Sequence, residues 1–184
     1  MKKLIITANP STQGFTHKIV AKYTKLSEEK WDTIEILDLY NTDLKQDFLR
    51  YENKKEMWKD AITKQIQAKI TWADELVFIF PIWWGDTPAI MKNFIDCNFG
   101  AGFAFQYDLN GKSTGLLTGK TARIIATSGW PSWVYKIALH IQFMWNMNRI
   151  GFCWIKQKSF TVFGNMDSRK INKEIYLEQI SKLI

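Results

Sequence analysis

The sequence predicts an α/β fold in which a parallel five-stranded sheet carries helices on both faces. Apolar runs of strand length, richest at Leu76-Val77-Phe78-Ile79-Phe80, have the composition of strands covered on both sides. Between them lie segments with apolar residues every three or four positions, which is helical spacing. The two kinds alternate along the chain, and alternation calls for parallel strands joined by helical crossovers.

The first strand covers residues 3–8 and ends in a polar, turn-forming loop. Phe15, Ile19, Tyr23 and Leu26 then give the apolar stripe of a helix that Thr16 is placed to cap. Residues 33–38 alternate as a second strand. Beyond an irregular polar stretch, Trp58, Ile62, Ile66 and Ile70 recur every fourth residue, predicting a helix through 54–73, about 30 Å long at 1.5 Å per residue. The third strand, 75–80, runs into Pro81-Ile82-Trp83-Trp84-Gly85-Asp86-Thr87-Pro88, where Thr87 and Pro88 suit the cap and first position of a helix to about residue 98. Residues 99–120 read as a long aromatic, glycine-containing loop, of a length more often functional than idle. A fourth strand, 121–127, leads through Ser128-Gly129-Trp130-Pro131 into a helix over about 132–149. The fifth strand, 158–163, closes at Gly164-Asn165, and Ile171, Ile175, Ile180 and Leu183 mark a final helix.

A chain of 184 residues fits one domain, 1–184, with core enough to need neither metal nor disulfide. Its formal charge is +7, but the lysines are scattered among acidic residues and form no compact stripe. Nucleic-acid binding is therefore not expected, while an anionic cofactor would be attracted. Cys97 and Cys153 lie far apart in apolar surroundings and read as reduced buried thiols; nothing has the spacing of a metal site. The first apolar run stops at Asn9-Pro10, too short for a secretion signal, and no run reaches membrane-span length. The expected location is the cytoplasm, without membrane insertion.

Three strand ends on one sheet edge carry the chemistry. In 9–16, the hydroxyls of Ser11, Thr12 and Thr16 and the flexible Gly14 suit a phosphate at a helix N-terminus, though an ordinary polar loop would look the same. The loop lacks Gly-x-Gly-x-x-Gly, which argues against a dinucleotide fingerprint. The double tryptophan of 80–89 suits a flat, hydrogen-bonding ligand. Residues 115–121 imitate a phosphate-binding P-loop, but they are one residue short and precede a strand instead of following one. At Thr127-Ser128-Gly129-Trp130 the glycine permits close approach, and Tyr135 and His140 follow within reach of proton transfer, although a lone Tyr or His on a helix is commonly structural. His17 reads as a surface residue, and Met144, Trp145, Met147 and Trp154 as core or interface.

Ala8-Asn9-Pro10 with Gly14-Phe15-Thr16, Phe80-Pro81-Ile82-Trp83-Trp84 with Pro88-Ala89-Ile90-Met91-Lys92, Gly102-Phe103-Ala104-Phe105-Gln106-Tyr107, and Thr127-Ser128-Gly129 with Tyr135 occur in that order over residues 3–140. Together they resemble the flavodoxin-like NAD(P)H:quinone reductase family. The resemblance implies a three-layer sandwich with strand order 2-1-3-4-5 holding a flavin; the short chain and the single phosphate loop favour FMN, with FAD as the alternative. Its phosphate would lie with Asn9, Gly14, Phe15 and Thr16. Its ring would lie against a row of amides from Pro81, Ile82, Trp83, Trp84 and Gly85, and against Thr127, Ser128, Gly129 and Trp130. Tyr135, with His140, would be catalytic. Phe105 and Tyr107 would line the substrate pocket of the partner subunit in a homodimer.

The implied activity is ping-pong hydride transfer from NAD(P)H through the flavin to a quinone or similar small acceptor. The chain departs from the family at Gly85, where a bulky residue is common, at Trp130, where glycine is common, and in the spacing of His140 from Tyr135. Two rival roles share the fold. One is a single-electron carrier, which would normally be acidic and would not need the 102–107 loop. The other is a flavin-binding regulatory subunit of a membrane transport system.

Overall fold

A computed structural model of the chain describes residues 1–53, 56–137 and 151–184. Its strands are β1 (Lys2–Thr7), β2 (Thr33–Asp38), β3 (Glu75–Pro81), β4 (Phe105–Tyr107), β5 (Ser113–Gly115), β6 (Thr121–Thr127) and β7 (Lys156–Phe163). Its described helices are α1 (Phe15–Glu28), α2 (Ala61–Trp72), α3 (Ala89–Asn98), α4 (Ser132–Ile137) and α5 (Glu174–Gln179), the last continued by a 3-10 turn, Ile180–Leu183. The main sheet is parallel throughout, in the order β2-β1-β3-β6-β7. It matches the expected order, since β6 and β7 are the fourth and fifth strands of that sheet.

Side chains alternate across a strand, so each central strand feeds two cores. On one face Ile5, Val77, Ile79 and Ile125 pack with Ile19 and Tyr23 of α1 and with Ile180 of the C-terminal turn. On the other, Leu4, Ile6, Phe78, Phe80 and Ile124 pack with Ile66 and Ile70 of α2, Met91 and Phe94 of α3, and Tyr135 of α4. Phe78 is fully buried, so truncating it to alanine would cost about 3–5 kcal/mol.

Several boundaries differ from the sequence reading. Trp58 does not join the helix: its φ of 61° lies in the left-handed region, and its indole donates to the Asp96 carbonyl at 2.7 Å. α2 starts at Ala61 because the Asp60 side chain caps it, accepting from the Thr63 amide at 2.8 Å. Gly14, not Thr16, stands at the cap of α1, and Pro88, not Thr87, at the cap of α3. The span 99–120 is not all loop; it folds into the antiparallel hairpin β4-β5. Trp154 lies outside the core, 54% exposed. Met144, Trp145, Met147 and most of the helix expected over 132–149 lie outside the described residues. Among those described, no helix is long and apolar enough to cross a membrane.

Candidate functional site

In this strand order β1 leads out to β2 on one side and β3 leads on to β6 on the other, so the loops leaving β1 and β3 diverge and open a crevice at their carboxyl ends. Beside it, a cavity of about 520 Å³ is lined by Ile82, Trp83, Trp84, Gly85, Ser128, Gly129, Trp130, Tyr135 and Asp167. The candidate residues of the second and third strand ends from Ile82 on, and Tyr135, thus meet around one space. Pro81 and Thr127 close the strands beneath it.

The wall after β3 is a two-residue hairpin. Trp83 and Asp86 exchange both backbone hydrogen bonds at 3.0 Å, and the residues between them, Trp84 and Gly85, have φ of 51° and 79°. That turn needs positive φ at both central positions, which favours Asn or Gly; an indole there is strained by roughly 1–2 kcal/mol. Trp84 is nonetheless fully exposed at the cavity mouth, with Trp130 61% exposed opposite. The expected row of amides is shorter than the sequence implied. Pro81 has no N–H, Ile82 donates to the Thr127 carbonyl at 2.7 Å, and Trp83 is spent on the hairpin. Only the Trp84 and Gly85 amides lack partners.

Across the cavity, the Ser128 hydroxyl donates to Tyr135 Oη at 2.6 Å and accepts from the Trp130 amide at 3.0 Å. With Ser128 Oγ so engaged, the Tyr135 hydrogen is free to turn to the cavity. Both residues are buried. His140, expected beside Tyr135, lies outside the described residues.

The first loop closes on itself. The Asn9 side chain donates to Thr16 Oγ1 at 3.0 Å and accepts from the Ser11 amide at 3.0 Å. A Cβ on Gly14 would stand 2.8 Å from Asn9 Nδ2 and 3.0 Å from the Ser11 carbonyl, so a larger residue would push the Asn9 side chain aside. The amides of Thr12, Gln13, Phe15 and Thr16 have no partner, which leaves a nest of donors at the positive end of α1. His17 is half-buried and not simply a surface residue: Nε2 meets Asp38 Oδ2 at 3.0 Å, and Nδ1 is buried without a partner. Burial opposes ionisation of Asp38, but hydrogen bonds from Asn41, His17 and the Tyr40 amide outweigh it and hold the carboxyl below its ordinary range.

Phe105 and Tyr107 do not line this cavity. Phe105 packs edge-on against Tyr107 and Phe152, with ring centres 5.5 and 5.1 Å away, and borders a separate apolar hollow with Leu49, Trp58, Ile95 and Phe99. Tyr107 is 60% exposed. Sequence reasoning missed Asp167, which reaches the cavity from the loop after β7; the Gly164-Asn165 turn marked that loop at the right edge, but no motif singled out the carboxylate.

Unpaired amides at the start of α1 and an aromatic cavity with unpaired donors on two walls have the chemistry that suits a planar ligand carrying a phosphate. The chain belongs to the family described as flavodoxin-like fold, whose match spans residues 1–184. It is 27% identical over 194 aligned residues to the FMN-dependent NADH:quinone oxidoreductase of Metamycoplasma arthritidis, covering 100% of this chain and 97% of that protein. It is 31% identical over 156 residues to a ribosyldihydronicotinamide dehydrogenase-like protein of Penicillium crustosum, of which it spans 58%. The crystal structure of Smu.1420 from Streptococcus mutans superposes with a TM-score of 0.81 at 31% identity, covering 100% of this chain and 98% of that one.

Proposed function

We propose that this chain is an FMN-dependent NAD(P)H:quinone oxidoreductase, acting in the cytoplasm as a single domain and paired as a homodimer. The observation that carries the reading is the pairing of the 9–16 amide nest with the cavity between Trp83–Gly85 and Ser128–Trp130. The residues present fit FMN: the glycine-closed nest suits its phosphate, and the cavity suits a ring with polar atoms on one edge. Bound there, FMN would supply two-electron chemistry between NAD(P)H and a quinone.

The protein contributes position and electrostatics. The Trp84 and Gly85 amides and the Tyr135 hydroxyl are donors fixed before any ligand arrives, so they can stabilise negative charge developing on it without reorganising. The Ser128 bond keeps the Tyr135 proton directed inward, where it can be shared with an electron-rich oxygen. Trp84 and Trp130 shield the cavity mouth and offer flat faces to the reductant and then the acceptor, which supports a ping-pong order in one space. The β4-β5 hairpin, with Phe105 and Tyr107 turned away from the chain's own cavity, supports their delivery to a second subunit's site.

The test is turnover. Purified protein loaded with FMN should oxidise NADH or NADPH rapidly only when a soluble quinone is supplied. Tight FMN binding with no turnover on any acceptor would sink the enzyme reading. Monomers by light scattering at micromolar concentration would sink the dimer.

A further inference from the structure

We propose that Asp167 reads the imide edge of the flavin ring, accepting the N3 hydrogen, and so sets both the orientation of the ring and the ease of its reduction. The inference rests on the FMN reading above. Three backbone hydrogen bonds hold the loop after β7 against the third strand end: Ser128 N to the Phe163 carbonyl at 2.9 Å, Met166 N to the Ser128 carbonyl at 2.9 Å, and Asn165 N to the Trp130 carbonyl at 3.0 Å. Asn165 turns the chain with a φ of 56°. Asp167 is thereby laid on Gly129 so closely that a Cβ on that glycine would stand 2.1 Å from Oδ2. The carboxylate lines the cavity and has no hydrogen-bond or ion-pair partner.

Its neighbours make the assignment specific. The Gly129 amide is also without a partner, and the Tyr135 hydrogen is free to face the cavity. This wall therefore offers donor, acceptor and donor from Gly129, Asp167 and Tyr135. The imide edge of an isoalloxazine offers the complement, a carbonyl on either side of N3–H. The opposite, dimethylbenzene edge has no hydrogen-bonding group and would displace water from the solvent-facing Gly129 and Asp167 without replacing its bonds, a costly arrangement. A fixed anion at this edge also opposes charge arriving on the ring, so it disfavours the reduced form.

The experiment compares FMN with N3-methyl-FMN, which cannot donate, by quenching of tryptophan fluorescence in the wild-type, Asp167→Ala and Asp167→Asn proteins, each checked for folding by circular dichroism. Wild type should bind FMN at least tenfold more tightly than the N3-methyl analogue, the size expected of a hydrogen bond to a charged group. Asp167→Ala should bind the two alike. Asp167→Asn, whose amide oxygen still accepts, should keep part of the preference. It should also gain affinity for reduced over oxidised FMN, each tenfold of which raises the two-electron midpoint potential by about 30 mV. Equal binding of both flavins by wild type, or an unchanged preference in Asp167→Ala, would overturn the assignment while leaving the FMN reading intact. Binding of neither flavin by wild type would remove both.

Discussion

The two ends of the central sheet handle polar groups in opposite ways. At the amino end charges are buried and satisfied. Glu75, 1% exposed, takes Arg123 Nε at 3.1 Å and Lys158 Nζ at 3.3 Å. Asp32 takes the buried Lys3 ammonium at 2.6 Å and the chain's amino terminus at 2.8 Å. At the carboxyl end the amides of Thr12, Gln13, Phe15 and Thr16, those of Trp84, Gly85 and Gly129, and the Asp167 carboxylate have no partner, and a strained tryptophan stands in solvent. The ion pairs at the amino end hold the fold, whereas the unpaired groups at the carboxyl end, most of them open to solvent, are available to a ligand. Substitutions at the two ends should accordingly separate stability from binding.

The largest effect is expected from Glu75→Ala, which strands Arg123 in a nearly buried position. It should destabilise the protein by about 3 kcal/mol in a urea titration, while FMN affinity in the folded protein stays unchanged. A loss of affinity matching the loss of stability would join the two ends. Gly129→Ala should do the reverse. The added Cβ meets only the movable end of the Asp167 side chain, so stability should hold, but displacing that carboxylate into the cavity should weaken FMN about tenfold, or roughly 1.4 kcal/mol.

Trp84→Gly comes next. Relief of the left-handed strain and the greater freedom of glycine in the unfolded chain nearly offset, leaving stability within about 1 kcal/mol. FMN affinity should nevertheless fall severalfold, and a variant both more stable and equally tight would show that the exposed indole has no part in binding. Gly85→Pro should be worse than Trp84→Phe, because proline cannot adopt the φ of 79° and removes one of the two unpaired amides.

Acid sensitivity is shared by the two ends: Asp38, at the carboxyl end of β2, is also held below its ordinary range, and Asp32 carries it at the amino end. Burial opposes ionisation of Asp32, yet hydrogen bonds from Lys3 and the amino terminus prevail and lower its pKa from 3.8. The unfolded chain then binds the proton more readily, so this contribution is complete above the ordinary value and is lost as pH falls through the lowered one. Asp32→Asn should flatten the acid limb of a melting-temperature profile, and an unchanged limb would remove Asp32 from it. The smallest effect is a null one. Burial pushes the thiols of Cys97 and Cys153 up to about 11, so neither should react with iodoacetamide in the native protein at neutral pH.

Local rules reached most of the fold. Strand runs such as 76–80 and the stripe of Phe15, Ile19, Tyr23 and Leu26 are written in the periodicity, and from them the alternation and the sheet follow. Periodicity also misled at Trp58, which keeps the spacing of Ile62 and Ile66 but lies beyond the Asp60 cap; the Asp60-to-Thr63 spacing was the signal that outranked it. The site was legible as three strand ends because each loop carries its own turn chemistry. Which amides remain free was not, since the Ile82 amide is consumed by Thr127, a partner 45 positions away along the chain and visible only once β3 and β6 pair. Asp167 was hidden for the same reason: its place beside Gly129 depends on the docking of one loop on another.

Titration of the purified protein with FMN, followed by tryptophan fluorescence, tests the central claim most directly. Trp83, Trp84 and Trp130 surround the cavity, so binding there should quench the emission to saturation at one FMN per chain, and Gly129→Ala should shift that curve to higher concentration. An emission that does not respond to FMN, from a folded protein that retains no flavin on desalting, would contradict the account.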